Sequence, residues 1–138
     1  MATASELLDL WVDTFNAGKP EAFQAHVVPN GVAEEVGTGR RMNVQEATTN
    51  AQAWKGAFPD ARGVIENRIA AGNQVVGEII WRGTNTGSLN GMPPTGKVAE
   101  IRAAVVLTEQ DGKTVHVCHY LDVAGLLTQL GVMPRPPS

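Results

Sequence analysis

The sequence has one cysteine, one tyrosine and no basic run longer than Arg40-Arg41, and each scarcity removes a class of protein. A single thiol closes no intramolecular disulfide, so no disulfide framework staples the chain and Cys118 reads first as core filler. Eleven basic against 14 acidic residues leave a formal net charge of -3, with no positive field to hold a phosphate backbone; nucleic acid is not an expected partner. No stretch approaches the ~18 consecutive apolar residues of a membrane span, and the first residues have neither a basic flank nor an apolar signal core. The expectation is a cytoplasmic protein without a membrane partner. Hydrophobic residues at 43% and charged ones at 18% are too apolar for a disordered chain. A length of 138 residues suits one core. We therefore expect a single domain over residues 1–133 and a disordered Pro-rich tail over 134–138.

Thr3 and Glu6 have the spacing of a capping box, and Leu7, Leu8, Trp11 and Phe15 follow on one helical face until Gly18. Pro20 suits the first turn of a second short helix with Phe23 and Val27 inward, followed by a brief strand over 32–36. Asn43 and Glu46 repeat the cap signal before a third helix that ends ahead of Pro59. From Arg62 the period changes. Residues 64–70, 75–84, 98–108 and 114–121 read as four Val- and Ile-rich strands, and a last helix runs from Val123 to Leu130 and stops at Gly131. Helices first and an antiparallel meander after them define an α+β domain, whose curved sheet would leave a ligand cavity under the helices.

Several short segments then acquire meaning by their order: Ala57-Phe58-Pro59-Asp60, Trp81 through Gly87, Thr95-Gly96-Lys97, Asp111-Gly112-Lys113, Tyr120-Leu121-Asp122 and Gln129-Leu130-Gly131. With Phe15 through Ala22, this series resembles the SnoaL-like polyketide cyclases of the nuclear transport factor 2-like superfamily. The resemblance implies a cone-shaped fold in which three N-terminal helices cover a curved, barrel-like sheet, with a short C-terminal helix. It also implies an apolar pocket for a small apolar or aromatic substrate, no metal, no organic cofactor, and often a homodimer formed through the outer sheet. In those cyclases an aspartate near the end of the last strand is general acid and base in an intramolecular aldol closure, and Asp122 stands at that position. The chain departs from the pattern at Asn85, where the family commonly has His, and at His116 and Cys118, where many members have Glu and Trp.

A carboxylate facing an apolar cavity has its charged form disfavoured, which lets it hold or accept a proton near neutral pH. That is the catalytic reading of Asp122. The alternative is that Asp122 simply caps the helix that begins at Val123. His116 is the candidate second acid or base, or else a hydrogen-bonded lining residue, and Arg102 is a candidate partner of Asp122 for an epoxide-opening or hydroxylating variant of the chemistry. Phe15, Trp54, Cys118, Tyr120 and Asn85 are candidate substrate contacts. His116 and His119, three apart on a strand, point to opposite faces and lack the spacing of a zinc site. Glu34-Glu35 reads as a solvated strand edge, with one of the two inward if the segment is a strand. A non-catalytic binding or dimerisation module remains open beside the enzyme readings.

The pocket assignment depends on the last hairpin. A three-residue loop with Gly112 in a bulge places Ile101, Ala103, Val105 and Leu107 with Val115, Val117, His119 and Leu121. Arg102, Ala104 and Val106 then share the other face with His116, Cys118, Tyr120 and Asp122. A two-residue Asp111-Gly112 turn mixes the two sets, so the three-residue loop is expected.

Overall fold

The computed structural model describes residues 1–134; beyond Pro134 the expected disordered tail lies outside the described residues. The first helix, α1 (Ala4–Asn16), starts in a complete capping box between Thr3 and Glu6 and buries Leu7, Leu8 and Val12. Pro20–His26 forms a tight 3-10 helix with Pro20 in its first turn. It ends one residue before β1 (Val27–Glu35), so the strand is longer than the 32–36 expected and absorbs Val27. A short β2 (Arg40–Met42) was not expected, because three residues carry no period to read. Asn43 and Glu46 cap α2 (Val44–Ala57) reciprocally. The meander follows as β3 (Arg62–Ala71), β4 (Gln74–Thr84), β5 (Val98–Gln110) and β6 (Lys113–Leu121), with α3 (Val123–Gln129) closing the described chain.

These strands form one sheet in the order β2-β1-β6-β5-β4-β3. β1 runs parallel to β6, and every other pairing is antiparallel. The edges β2 and β3 do not meet; the sheet is an open cone wall, not a closed barrel. Its inner face carries Val75, Ile79, Val105, Leu107 and Val117, which pack against Leu7, Leu8 and Val12 of α1. Gly77 allows that approach, since a Cβ there would lie 2.6 Å from a Leu8 methyl. A second cluster joins Ala57, Phe58, Leu89, Ala99 and Ile101 to Leu126 of α3 and to Leu130, its C-cap. Trp81 packs against both clusters, and the space between them is left unfilled.

The last hairpin corrects the expected loop while keeping its consequence. Gln110 pairs with Lys113, so Asp111 and Gly112 form a two-residue turn with φ of 52° and 80°, the left-handed pair of a type I′ turn. The register then shifts between Thr108 and Glu109, where Val115 is the extra residue. This bulge restores the segregated faces: Leu107 opposes Val117, Val105 opposes His119 and Ala103 opposes Leu121. The parity was set by a bulge inside β6 and not by the loop, because burying one apolar set outweighs the regularity of one ladder step.

Candidate functional site

The unfilled space is a cavity of about 190 Å³ between the inner sheet face, α1, the 3-10 segment and α2. For scale, a dry cavity of about 150 Å³ accepts one benzene, so this one has room for one or two fused rings. Its aromatic walls are Trp11, Phe15, Phe23, Trp54, Phe58 and Trp81. Phe15 meets Trp81 edge-on at 5.0 Å between ring centres, and Trp11 meets Trp81 at 5.8 Å. Trp81 is positioned by Gly63, where a Cβ would come within 2.5 Å of the indole. Asn16 in turn holds Gly63, donating to its carbonyl at 2.9 Å and accepting from its N–H at 2.8 Å.

Two titratable side chains enter this apolar space. Glu35 and His119 are register partners on the neighbouring parallel strands β1 and β6, and both line the cavity. Glu35 is buried. Its Oε1 accepts from Thr38 Oγ1 at 2.7 Å, and its Oε2 accepts from Asn50 Nδ2 at 2.8 Å and Trp54 Nε1 at 2.9 Å. Three donors thus meet this buried side chain, and about one of its four acceptor positions is left over. His119 accepts the indole N–H of Trp81 at 3.3 Å on Nε2 and meets the Trp11 ring edge-on at 5.2 Å. Burial lowers its pKa to about 4, against a smaller opposing pull from the Glu35 charge. Glu34 and Arg82 border the cavity, but their charged ends are engaged elsewhere, Glu34 with His116 and Arg41 and Arg82 with Glu100.

The expected site residues divide between the two faces. Phe15 and Trp54 stand in the cavity wall. Asp122 does not: it is exposed beyond the end of β6 and accepts the Gly125 N–H at 2.9 Å as the N-cap of α3. No apolar wall encloses it, and the capping alternative describes its place. Arg102 projects from the outer face toward Glu66 at 3.4 Å, since its neighbour Ile101 takes the inward position. His116 is also outside the cavity and bonds Glu34 at 2.7 Å. Cys118 and Tyr120 alternate with Val117 and His119 and share that outer face. Asn85 is buried and fully engaged: its amide donates to the Ala57 and Gly87 carbonyls, and its Oδ1 accepts from the N–H and hydroxyl of Thr95. It staples the 85–96 connection to the end of α2 and does not line the cavity.

Sequence reasoning therefore passed over Glu35 and His119. For His119 the signal was present, since it is a lone ionisable residue between Val117 and Leu121 on the inward-facing alternation of β6, whereas the pair Glu34-Glu35 left open which of the two faces inward. Among the described residues no cluster of three His, Cys, Asp or Glu side chains is placed to hold a metal, and no helix is long and apolar enough to cross a membrane.

An open α+β cone with a pocket between helices and sheet is the architecture of the nuclear transport factor 2-like class. The chain belongs to the SnoaL-like polyketide cyclase family, whose model matches residues 5–130. No curated protein matches the sequence. Among solved structures it is similar to AclR of Streptomyces galilaeus, a candidate hydroxylase, with a TM-score of 0.86, 22% identity and coverage of 98% of this chain and 89% of that one. It is also similar to IdmH of Streptomyces antibioticus, a candidate polyketide cyclase, with a TM-score of 0.82, 25% identity and coverage of 94% and 99%. A protein of ketosteroid isomerase-like fold from Catenulispora acidiphila, solved with trimethylamine, has a TM-score of 0.79 at 17% identity, covering 98% and 100%.

Proposed function

We propose that this chain is a cofactor-independent acid–base enzyme that closes a ring within a small polyketide-like substrate. The observation that carries this reading is a buried carboxylate and a half-buried imidazole on adjacent strands, both facing one aromatic-walled cavity. Glu35 takes a proton from a carbon flanked by carbonyls, and the resulting enolate carbon attacks a second carbonyl of the same molecule. One carbon–carbon bond forms, the attacked oxygen becomes an alkoxide, and that alkoxide takes the proton back from Glu35. The product is an isomer of the substrate, so no oxidant or reductant is consumed. A cavity of about 190 Å³ encloses the reacting ring and leaves the remainder of a longer substrate at the mouth.

The first half-reaction can be read without the natural substrate. β-Tetralone, an aromatic ketone of about the cavity's size, should exchange its α-hydrogen for deuterium faster with the protein than without it, as followed by mass spectrometry. Glu35→Gln should remove ~10²-fold or more of that acceleration. Asp122→Ala should retain it while losing about 1 kcal/mol of stability as a lost helix cap. No acceleration by the wild type, or equal acceleration by Glu35→Gln, sinks the acid–base reading and leaves a binding module.

The outer sheet face supports a homodimer. Val64, Ile69, Val98 and Tyr120 are all well exposed and, by their register, all project from it. Exposed apolar side chains set among ion pairs such as Arg82–Glu100 and Arg102–Glu66 on the same face offer an association surface. Light scattering should give twice the 14.6 kDa chain mass. A monomer at high micromolar concentration removes this part of the proposal.

A further inference from the structure

An indole N–H can only donate. The Trp81 bond to His119 Nε2 at 3.3 Å therefore requires a lone pair on that nitrogen, and a neutral ring must carry its proton on Nδ1. Protonating Nε2 would set two N–H groups against each other, so the contact opposes the imidazolium in addition to burial. Nδ1 has no hydrogen-bond partner among the described residues. The only sealed and unpartnered side-chain polar atom there is Thr114 Oγ1, so Nδ1 keeps open surface, and its place on the inner face makes that surface the cavity.

We propose that His119 is a neutral Nδ1–H donor to a substrate carbonyl oxygen, with its tautomer fixed by Trp81, and that it stabilises the enolate without exchanging a proton. Trp81 is then a positioning residue. The inference rests on the carbonyl chemistry proposed above and adds the direction of the substrate, with the oxygen toward His119 and the acidic carbon toward Glu35. A donor fixed before the substrate arrives stabilises the charge that develops on oxygen without reorganising. The other ionisable groups around the ring are few: Glu35 faces it from β1, and Trp11, Trp81 and the inner positions of β5 bring none.

Nitrogen NMR of histidine-labelled protein reads the tautomer without any variant. Between about pH 6 and 8 His119 should be neutral with its proton on Nδ1. In Trp81→Phe the tautomers should mix and the titration should move up toward the ordinary histidine range. Infrared spectra of bound β-tetralone supply the second readout. Its carbonyl frequency should fall in the wild type and in Glu35→Gln, which lacks the base but keeps the donor, and should be restored in His119→Phe. A proton on Nε2, titration of the wild-type ring near pH 6.5, a shift that survives in His119→Phe, or a ketone that binds unshifted or not at all overturns the proposal. Loss of deuterium exchange with the tautomer and the infrared shift intact would instead sink Glu35 as base and leave His119 as donor.

Discussion

Glu35→Leu is expected to lower stability by about 3 kcal/mol, the range for removing one partner of a buried polar assembly. The size of the effect comes from the donors left behind and not from the lost charge. Thr38 is exposed and can turn to water, but Asn50 Nδ2 and Trp54 Nε1 point into the protein at the vacated site. Each buried donor without an acceptor costs about 1–3 kcal/mol. Relief from burying a carboxylate offsets part of that, which is why the expected loss stays below the sum of the two maxima. Glu35→Gln keeps an acceptor for the two inner donors and should lose only about 1 kcal/mol. Urea unfolding near pH 7 orders the three proteins. A double variant, Glu35→Leu with Trp54→Phe, should recover part of the loss, because removing both ends of a bond leaves nothing unpaired. A Leu variant as stable as the wild type would mean that the three hydrogen bonds do not compensate a buried charge.

The fold was legible because its signals are local or periodic. Thr3 with Glu6 and Asn43 with Glu46 mark helix starts through bonds spanning three residues, and the Val- and Ile-rich alternation of β4 to β6 marks the sheet. Even the segregation of faces in the last hairpin followed from the cost of burying polar residues, although a bulge at Val115 produced it. The site was less legible for the opposite reason. Chemistry was sought on the polar parity of β6, with His116, Tyr120 and Asp122, but the apolar parity faces the helices and therefore the cavity. Functional groups in such a pocket are exceptions within an apolar set, as His119 is between Val117 and Leu121. Glu35 required a non-local fact. Only when β1 is laid parallel beside β6 and covered by β2 does its strand become interior and its pleat send Glu34 outward and Glu35 inward.

The second large effect is on acid stability, and it tests the state of His119 independently of any substrate. Its folded pKa of about 4 lies below the ordinary value of 6.5, so the unfolded chain binds its proton first as pH falls. The stabilisation is therefore complete above about pH 6.5, declines as pH drops through the interval to about 4, and stays constant for this group below that. The whole interval corresponds to up to about 3 kcal/mol, with a steepest slope of about 1.4 kcal/mol per pH unit. Asp60, whose carboxyl is held low by bonds from the Thr84 backbone and hydroxyl, acts only below about pH 4, outside most of this window. His26 and His116 are common to wild type and variant, so their contributions cancel in the difference. His119→Phe keeps an aromatic ring at this position and removes the titration. Subtracting its unfolding free energies from those of the wild type at matched pH should give a curve that is flat above about pH 6.5 and falls toward pH 4. The Trp81 N–H left unpaired by Phe shifts that curve as a whole but cannot tilt it, because an indole does not titrate in this range. A flat difference throughout would mean that the folded and unfolded chains protonate His119 alike, and the bias against a charged ring that burial and the Trp81 contact impose would not survive that result.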